Sequence, residues 1–399
     1  MNNRSSFAIA LPLVLVIGFF AGTHYQKDRN DDPLQLESDA TASEIASRPE
    51  FRTFWEVWNL LHEEYVDKDT LNEQDLVYGA TEGLINSIDD PHSVFFPPKE
   101  SKAFEEQING SFSGVGIEIG IRNDVLTVIS PIKNTPAERA KIQASDIILR
   151  IDETSTDGMK VDRAVELIRG EGGTTVTLLI DRGSFDQPRE FALVREKIKI
   201  PAVSLTMIEN DIAHLEVHVF NQNVDEEFRK AAQEILESPA KKILLDLRNN
   251  PGGLLDSSIN LAGYFLDPDQ PVLIERLGDG TEHVFKASVN GRLKNYPVVI
   301  LANKGSASAS EILAGALRDN RNISLVGETT FGKGSVQDVF ELPRGASAKI
   351  TIAKWLTPNG TSIHGNGLIP DVDIELTEED IEADRDPQFD KAVELLKAL

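Results

Sequence analysis

The chain has 399 residues, with 40 basic and 65 acidic side chains, a formal net charge of −25 and no cysteine. These figures exclude a disulfide framework and a thiolate metal site. They also argue against a nucleic-acid ligand, because no basic patch stands out against the negative field. At roughly 100–200 residues per domain, the length predicts two to four domains.

Residues 7–21 form an uncharged apolar run behind Arg4. The run is short of the roughly 20 residues of a transmembrane helix and suits the apolar region of an export signal. Phe19 and Phe20 stand where a cleavage site wants small residues. Residues 1–26 are therefore expected to be an uncleaved signal anchor in the inner membrane, with a cleaved signal peptide as the alternative. Residues 27–49 read as a polar tether. The remainder would be exported, in the periplasm or on the periplasmic face of the inner membrane.

A helical region is expected over 50–98. Phe51, Phe54, Trp55, Trp58, Leu61 and Tyr65 recur close to helical spacing, as a core stripe or a partner-helix interface. A second helix is predicted over 75–88, and the turn Asp90-Pro91-His92-Ser93 closes the region.

Residues 99–190 are richer in β-formers, with strands expected at 124–132, 146–152 and 174–182 and a helix at 162–170. Gly114-Val115-Gly116-Ile117 opens a strand, and glycines there let the backbone fold into an anion-binding nest. The segment resembles a PDZ domain. That resemblance implies that the backbone of Gly114, Val115, Gly116 and Ile117 takes a peptide's terminal carboxylate while the next strand pairs with the peptide. The segment 140–146 departs from the pattern, lacking glycine after Ala140 and before Asp146.

Residues 191–376 carry the chemistry. Three apolar strand candidates each run into an unusual loop: 242–247 into Asn249-Asn250-Pro251-Gly252-Gly253, 297–302 into Gly305-Ser306-Ala307-Ser308, and 323–326 toward Gly332-Lys333-Gly334. Alternation of strand and helix implies a largely parallel layer, with functional groups at the carboxyl ends of its strands. Ser308 would stand on a tight turn at a helix N-terminus, where backbone N–H groups can face an oxyanion. The competing reading is simple N-capping by Ser306, Ser308 or Ser310, of which Ser310 with Glu311 nearby looks suited.

A serine needs a base. No histidine among His24, His62, His92, His214, His218, His283 and His364 falls at the end of one of these strands. His214, Glu216 and His218 read as the exposed polar face of a half-buried strand, so no metal site emerges. Lys333 is the better base if desolvation leaves it neutral. In an extended segment Lys333, Ser335 and Gln337 share a face, so Gln337 can orient the amine. Gly252 and Gly253 suit an oxyanion loop or a plain turn.

Taken together, the segments 246–254, 305–317, 327–337 and 354–371 resemble the carboxyl-terminal processing (tail-specific) proteases, over roughly residues 50–376. The resemblance implies a multidomain α/β protein: an N-terminal helical region, a PDZ-like domain and a βαβ serine protease core of the Clp protease/crotonase-like kind. It implies Ser308 as nucleophile, Lys333 as base, Gln337 as its assistant, and the N–H groups of Ala309 and Gly252 as oxyanion donors. It further implies PDZ-gated entry, with Arg169 as candidate relay, and no cofactor. The partners implied are protein substrates with accessible apolar C-terminal tails, an activating adaptor and further copies of the chain. Two other readings are a catalytically silent PDZ scaffold and a crotonase-like acyl-CoA enzyme. Residues 377–399 are expected to be an acidic tail and a helix that packs on the core or on a second subunit.

Overall fold

The computed structural model describes residues 48–399 except 123–124, 133, 200, 210, 289–290, 378, 381–382 and 384. The export signal and nearly all of the expected tether lie outside the described residues. The N-terminal region comprises α1 (Arg52–Glu64), α2 (Glu73–Asn86), β1 (Val94–Phe96) and α3 (Pro98–Ile108). Asn72 caps α2, its side-chain oxygen accepting the Gln74 N–H at 2.9 Å. No residue of α1 is buried. Phe54, Trp55 and Trp58 cluster edge-to-face at the surface, so the aromatic stripe is not part of this chain's core.

A two-stranded neck follows, made by β2 (Ser111–Gly114) and, after the PDZ-like unit, β9 (Glu196–Lys199). The unit between contains β3 (Ile117–Arg122), β4 (Val125–Pro131), α4 (Pro136–Arg139), β5 (Ile147–Ile151), β6 (Thr154–Ser155), α5 (Val161–Ile168), β7 (Thr175–Asp181) and β8 (Arg189–Val194). Its sheet runs β3-β4-β5-β7-β8, which leaves β3 on an edge. Inward residues of β7 alternate as Val176, Leu178 and Ile180 and meet Ala164 and Ile168 of α5 in a separate apolar core. The loop that lacks its glycines keeps their backbone: Lys141 and Ser145 have φ of 61° and 71°. Arg182 holds this left-handed turn, donating to both Asp146 oxygens at 2.6 and 2.7 Å and to the Lys141 carbonyl at 3.0 Å.

The protease-like core is built from β10 (Val203–Ile208), β11 (Ile212–Val217), α6 (Val224–Glu237), β12 (Lys242–Asp246), α7 (Leu255–Phe265), β13 (Pro271–Leu277), β14 (Glu282–Lys286), β15 (Val298–Ala302), α8 (Ala309–Arg321), β16 (Ser324–Gly327), β17 (Ser335–Glu341), β18 (Ser347–Leu356), β19 (Val372–Asp373) and α9 (Pro387–Ala398). One sheet has the order β10-β11-β12-β15-β16-β19 and is parallel from β11 onward. Helices α6, α7 and α8 cover one face. On the other, Ala392, Val393 and Leu396 of α9 pack on Ile212, Leu244, Val299 and Val326. The final helix thus belongs to the core, and the acidic stretch before it is partly structural: Asp386 accepts from Arg248 Nη1 at 2.8 Å. A second sheet, β1-β18-β13-β14 with β17 on β18, is antiparallel where its strands pair, and it recruits β1 from the N-terminal region.

Candidate active site

The loops after β12, β15 and β16 converge where the parallel sheet ends. The nucleophile candidate sits in a strained turn. Ser308 has φ 54° and ψ −113°, and it occupies the N-cap position of α8. A non-glycine residue there costs on the order of 1–3 kcal/mol and persists only when its surroundings over-determine it. Asn250 supplies much of that restraint. Its carbonyl accepts the Ala307 N–H at 3.0 Å and the Ser310 hydroxyl at 2.9 Å. Ser310 is therefore spent on Asn250, and the N-cap place goes to Ser308, one of the three serines that the capping reading named, with Glu311 at the third helical position. Gly252, with φ +98°, packs beneath: a Cβ there would stand 2.6 Å from the Ala307 oxygen and 2.8 Å from Ser308 Cβ.

Glu311 joins this turn to the lysine loop. Its carboxylate accepts the N–H groups of Ser308 (2.8 Å), Gly332 (2.8 Å) and Lys333 (2.9 Å) and the Thr330 hydroxyl. Burial raises the Glu311 pKa, and these bonds work in the opposite direction. Lys333 is only 2% exposed, and its carbonyl accepts the Trp355 indole N–H at 3.1 Å. Desolvation, then the neighbouring Lys349 charge, pushes its ammonium down to about 7, against Asp90 and Glu311. A group poised there is neutral for much of the time near neutral pH.

Gln337 is fully buried on β17. Its amide nitrogen donates to Ser335 Oγ at 2.8 Å and to Thr351 Oγ1 at 3.1 Å, while Oε1 has no hydrogen-bond partner among the described residues. Ala309 is the first residue of α8, whose leading N–H groups have no partner within the helix. Gly252 N–H donates to Asn250 Oδ1 at 2.9 Å. Gly253 lines a small pocket with Ser308, Leu255, Ile312, Ser335, Val336 and Trp355.

In the PDZ-like unit, Gly114 closes β2, Val115 is buried, Gly116 has φ +76°, and Ile117 opens the edge strand β3, against which α5 packs. Arg169 follows α5, and its guanidinium carbon lies 4.6 Å over the Phe112 ring in the neck. One sequence expectation changes. His214 is not on an exposed face, because α9 covers it: its ring meets Phe389, and Nε2 lies 3.2 Å from Asp246 Oδ2. The strand-end search also passed over His92 and His364, both near the lysine. Lys333 helps depress the His92 pKa, after desolvation, and the His364 backbone abuts Gly334. Sequence reasoning missed Asn250, Lys349 and the wider role of Glu311, for which no spacing rule gives a signal. Among the described residues, no group of three His, Asp or Glu side chains is arranged to hold a metal.

Comparison with known proteins agrees with this architecture. Residues 211–374 match the model of peptidase family S41, residues 104–181 a PDZ domain, and residues 13–99 the activating protease CtpB N-terminal domain. The carboxy-terminal processing protease CtpA of Bacillus subtilis (strain 168) is 37% identical over 305 residues, which is 76% of this chain and 65% of that protein. The chain thus spans about two thirds of the length of such relatives. Carboxy-terminal processing protease CtpB of the same organism is 33% identical over 382 residues, covering 94% of this chain and 78% of that one. The solved photosystem II D1 C-terminal processing protease is 30% identical, with a TM-score of 0.51 over 80% of this chain and 86% of its own. With its PDZ unit and S41 core, the chain belongs to the carboxy-terminal processing protease family of serine-type peptidases.

Proposed function

We propose that the chain is an exported serine endopeptidase that takes proteins by their unstructured apolar C-terminal tails. The observation that carries this reading is Lys333, buried and pushed down to about 7, on a loop bound by the same Glu311 carboxylate that holds the Ser308 turn. The neutral Lys333 amine removes the Ser308 hydroxyl proton as Oγ attacks a peptide carbonyl. Gln337 orients the amine through its free Oε1. The Ala309 N–H and one glycine N–H stabilise the tetrahedral oxyanion. Gly252 serves once its N–H leaves Asn250, and otherwise Gly253 does. The lysinium then protonates the departing amine, and water hydrolyses the acyl-enzyme. The pocket formed by Leu255, Ile312, Val336 and Trp355 suits a small apolar side chain beside the scissile bond.

Upstream of the chemistry, a substrate tail adds a strand to the open edge of β3 and docks its carboxylate at residues 114–117. Arg169, stacked on the neck, relays that event to the core. The exposed aromatics of α1 pack against a second copy or an activating adaptor. The N-terminal segment holds the protein at the periplasmic face of the inner membrane, or is removed to release it.

The test is incubation of the full chain with a loosely folded protein ending in an apolar tail, and with the same protein ending in a charged tail. Mass spectrometry should find internal cleavage that favours the apolar tail and is lost in Ser308→Ala. Binding of the tail without cleavage, with or without candidate adaptors, would support the scaffold reading instead.

A further inference from the structure

The Gln337 amide can assist the lysine in one orientation only. Its oxygen can accept an N–H of the Lys333 amine and leave the amine's lone pair free for the Ser308 proton. A reversed amide would turn N–H groups toward that lone pair and compete with the proton. Which end of an amide points where is decided by the bonds around it. Here the nitrogen has two acceptors, Ser335 Oγ at 2.8 Å and Thr351 Oγ1 at 3.1 Å, which use both of its hydrogens. Ser335 stands two residues back on β17, and Thr351 stands opposite on β18. The pairing of these strands shifts register between Val336 and Gln337, stepping from Ala353 to Thr351. A bulge of this kind re-aims the side chain beside it, and this one brings Gln337 opposite Thr351.

Thr351 is in turn held by the N-terminal region. The ladder between β1 and β18 ends at Val94 opposite Lys349, and the Asp90-Pro91-His92-Ser93 turn carries the contact further along β18 with a side chain. Ser93 is buried. Its hydroxyl donates to Asp90 Oδ2 at 2.6 Å and accepts the Thr351 N–H at 3.0 Å. Asp90 Oδ1 accepts the His92 N–H at 3.0 Å, which closes the turn. Against burial, the hydroxyls of Ser93 and Thr351 and the His92 N–H keep the Asp90 carboxyl below its ordinary value. An ionised carboxylate only accepts, so the Thr351 hydroxyl gives its proton to Asp90 and offers Gln337 its oxygen alone. We propose that Thr351, clamped by the Asp90–Ser93 turn, is a positioning residue that keeps the Gln337 nitrogen on the hydroxyls and its oxygen free for the Lys333 amine. The N-terminal region thereby completes the site. Thr351 has this role only if Lys333 is the base and Gln337 its assistant, as proposed above.

The test is a double-mutant cycle on tail-directed cleavage by the full chain. Thr351→Val keeps the shape and β-branching and loses the hydroxyl. It should lower kcat about 3- to 30-fold with KM little changed, because one acceptor fewer holds the amide. Thr351→Ser restores the hydroxyl and should recover most of the rate. In the Gln337→Leu background, Thr351→Val should cost nothing further, since no amide is left to position. Ser93→Ala loosens the clamp and should show the same pattern with a smaller loss. Thermal unfolding checks that each variant is folded, and Thr351→Ala replaces the valine variant should it melt early. A folded Thr351→Val with the parent's kcat overturns the proposal. So does a loss by the same factor in the Gln337→Leu background, because a merely structural role would act alike in both. Lys333→Ala and Gln337→Leu are the controls. Cleavage at the parent's rate in the first overturns the Ser/Lys reading, and in the second the assisting role of Gln337. Losses in both beside an unaffected Thr351→Val overturn only the role of Thr351.

Discussion

Two buried clusters of charge in this core are built on opposite rules. In the first, signs alternate. Arg248 Nη2 lies 2.7 Å from Asp246, and Arg248 Nη1 lies 2.8 Å from Asp386 at the start of α9, with His214 3.2 Å from Asp246 on the other side. Burial alone would raise the Asp246 carboxyl, but Arg248 and His214 outweigh it and hold it well below the usual carboxylate range. In the second, two lysines of the core are buried: Lys333 and Lys349 are both depressed, chiefly by desolvation. The first cluster is a clasp that fastens the last helix to the sheet. The second leaves electrostatic cost in the folded state, which the proposed mechanism uses to keep an amine reactive.

That contrast breaks most visibly in activity. Ser308→Ala and Lys333→Ala should each lower peptide-bond cleavage by at least about 10³-fold, measured as kcat. Lys333→Ala should leave the urea midpoint unchanged or higher, because a buried amine has been removed. Asp246→Ala should do the reverse, costing about 3–5 kcal/mol in urea unfolding, since it strands Arg248 with only part of its partners. Should Lys333→Ala prove the more destabilising of the two, the contrast is wrong. The clasp also has a pH signature. Asp246 has a depressed folded-state pKa, so its contribution is complete above its ordinary value and disappears as pH falls through the folded one.

Smaller effects sharpen the picture. Gln337→Leu keeps the volume and removes the amide, and should reduce kcat about 10- to 100-fold with little change in KM. The smallest effect falls in the PDZ-like unit, where strain serves a turn and no chemistry. Lys141→Gly relieves a left-handed residue and keeps the bond from Arg182 to the backbone carbonyl. Thermal unfolding should report a gain of up to about 1 kcal/mol.

The sequence made the local features legible. Apolar strands running into glycine- and serine-rich loops marked the sheet and its functional edge, and the turn with Ser308 and the glycine-flanked Lys333 stood out by their place after those strands. What stayed hidden was non-local. Glu311 reads as a capping residue until the fold brings Thr330, Gly332 and Lys333 to the same carboxylate. Lys349 reads as an ordinary strand lysine until Phe96 of β1 and Phe104 of α3, from far earlier in the chain, set aromatic rings against it. His214 looked exposed because the helix that buries it lies near the far end of the chain. Periodicity reports which face of an element is apolar and not which distant element will cover the other.

The most direct measurement is single-turnover acylation of the full chain by a tail-bearing substrate, with the adduct located by mass spectrometry between about pH 6 and 8. The predicted result is a covalent adduct on Ser308 whose rate of formation rises about tenfold per pH unit below about 7 and levels off above it, and which Lys333→Ala does not form. An adduct on another residue, or acylation of Lys333→Ala at the parent's rate, would contradict a neutral buried lysine as the base.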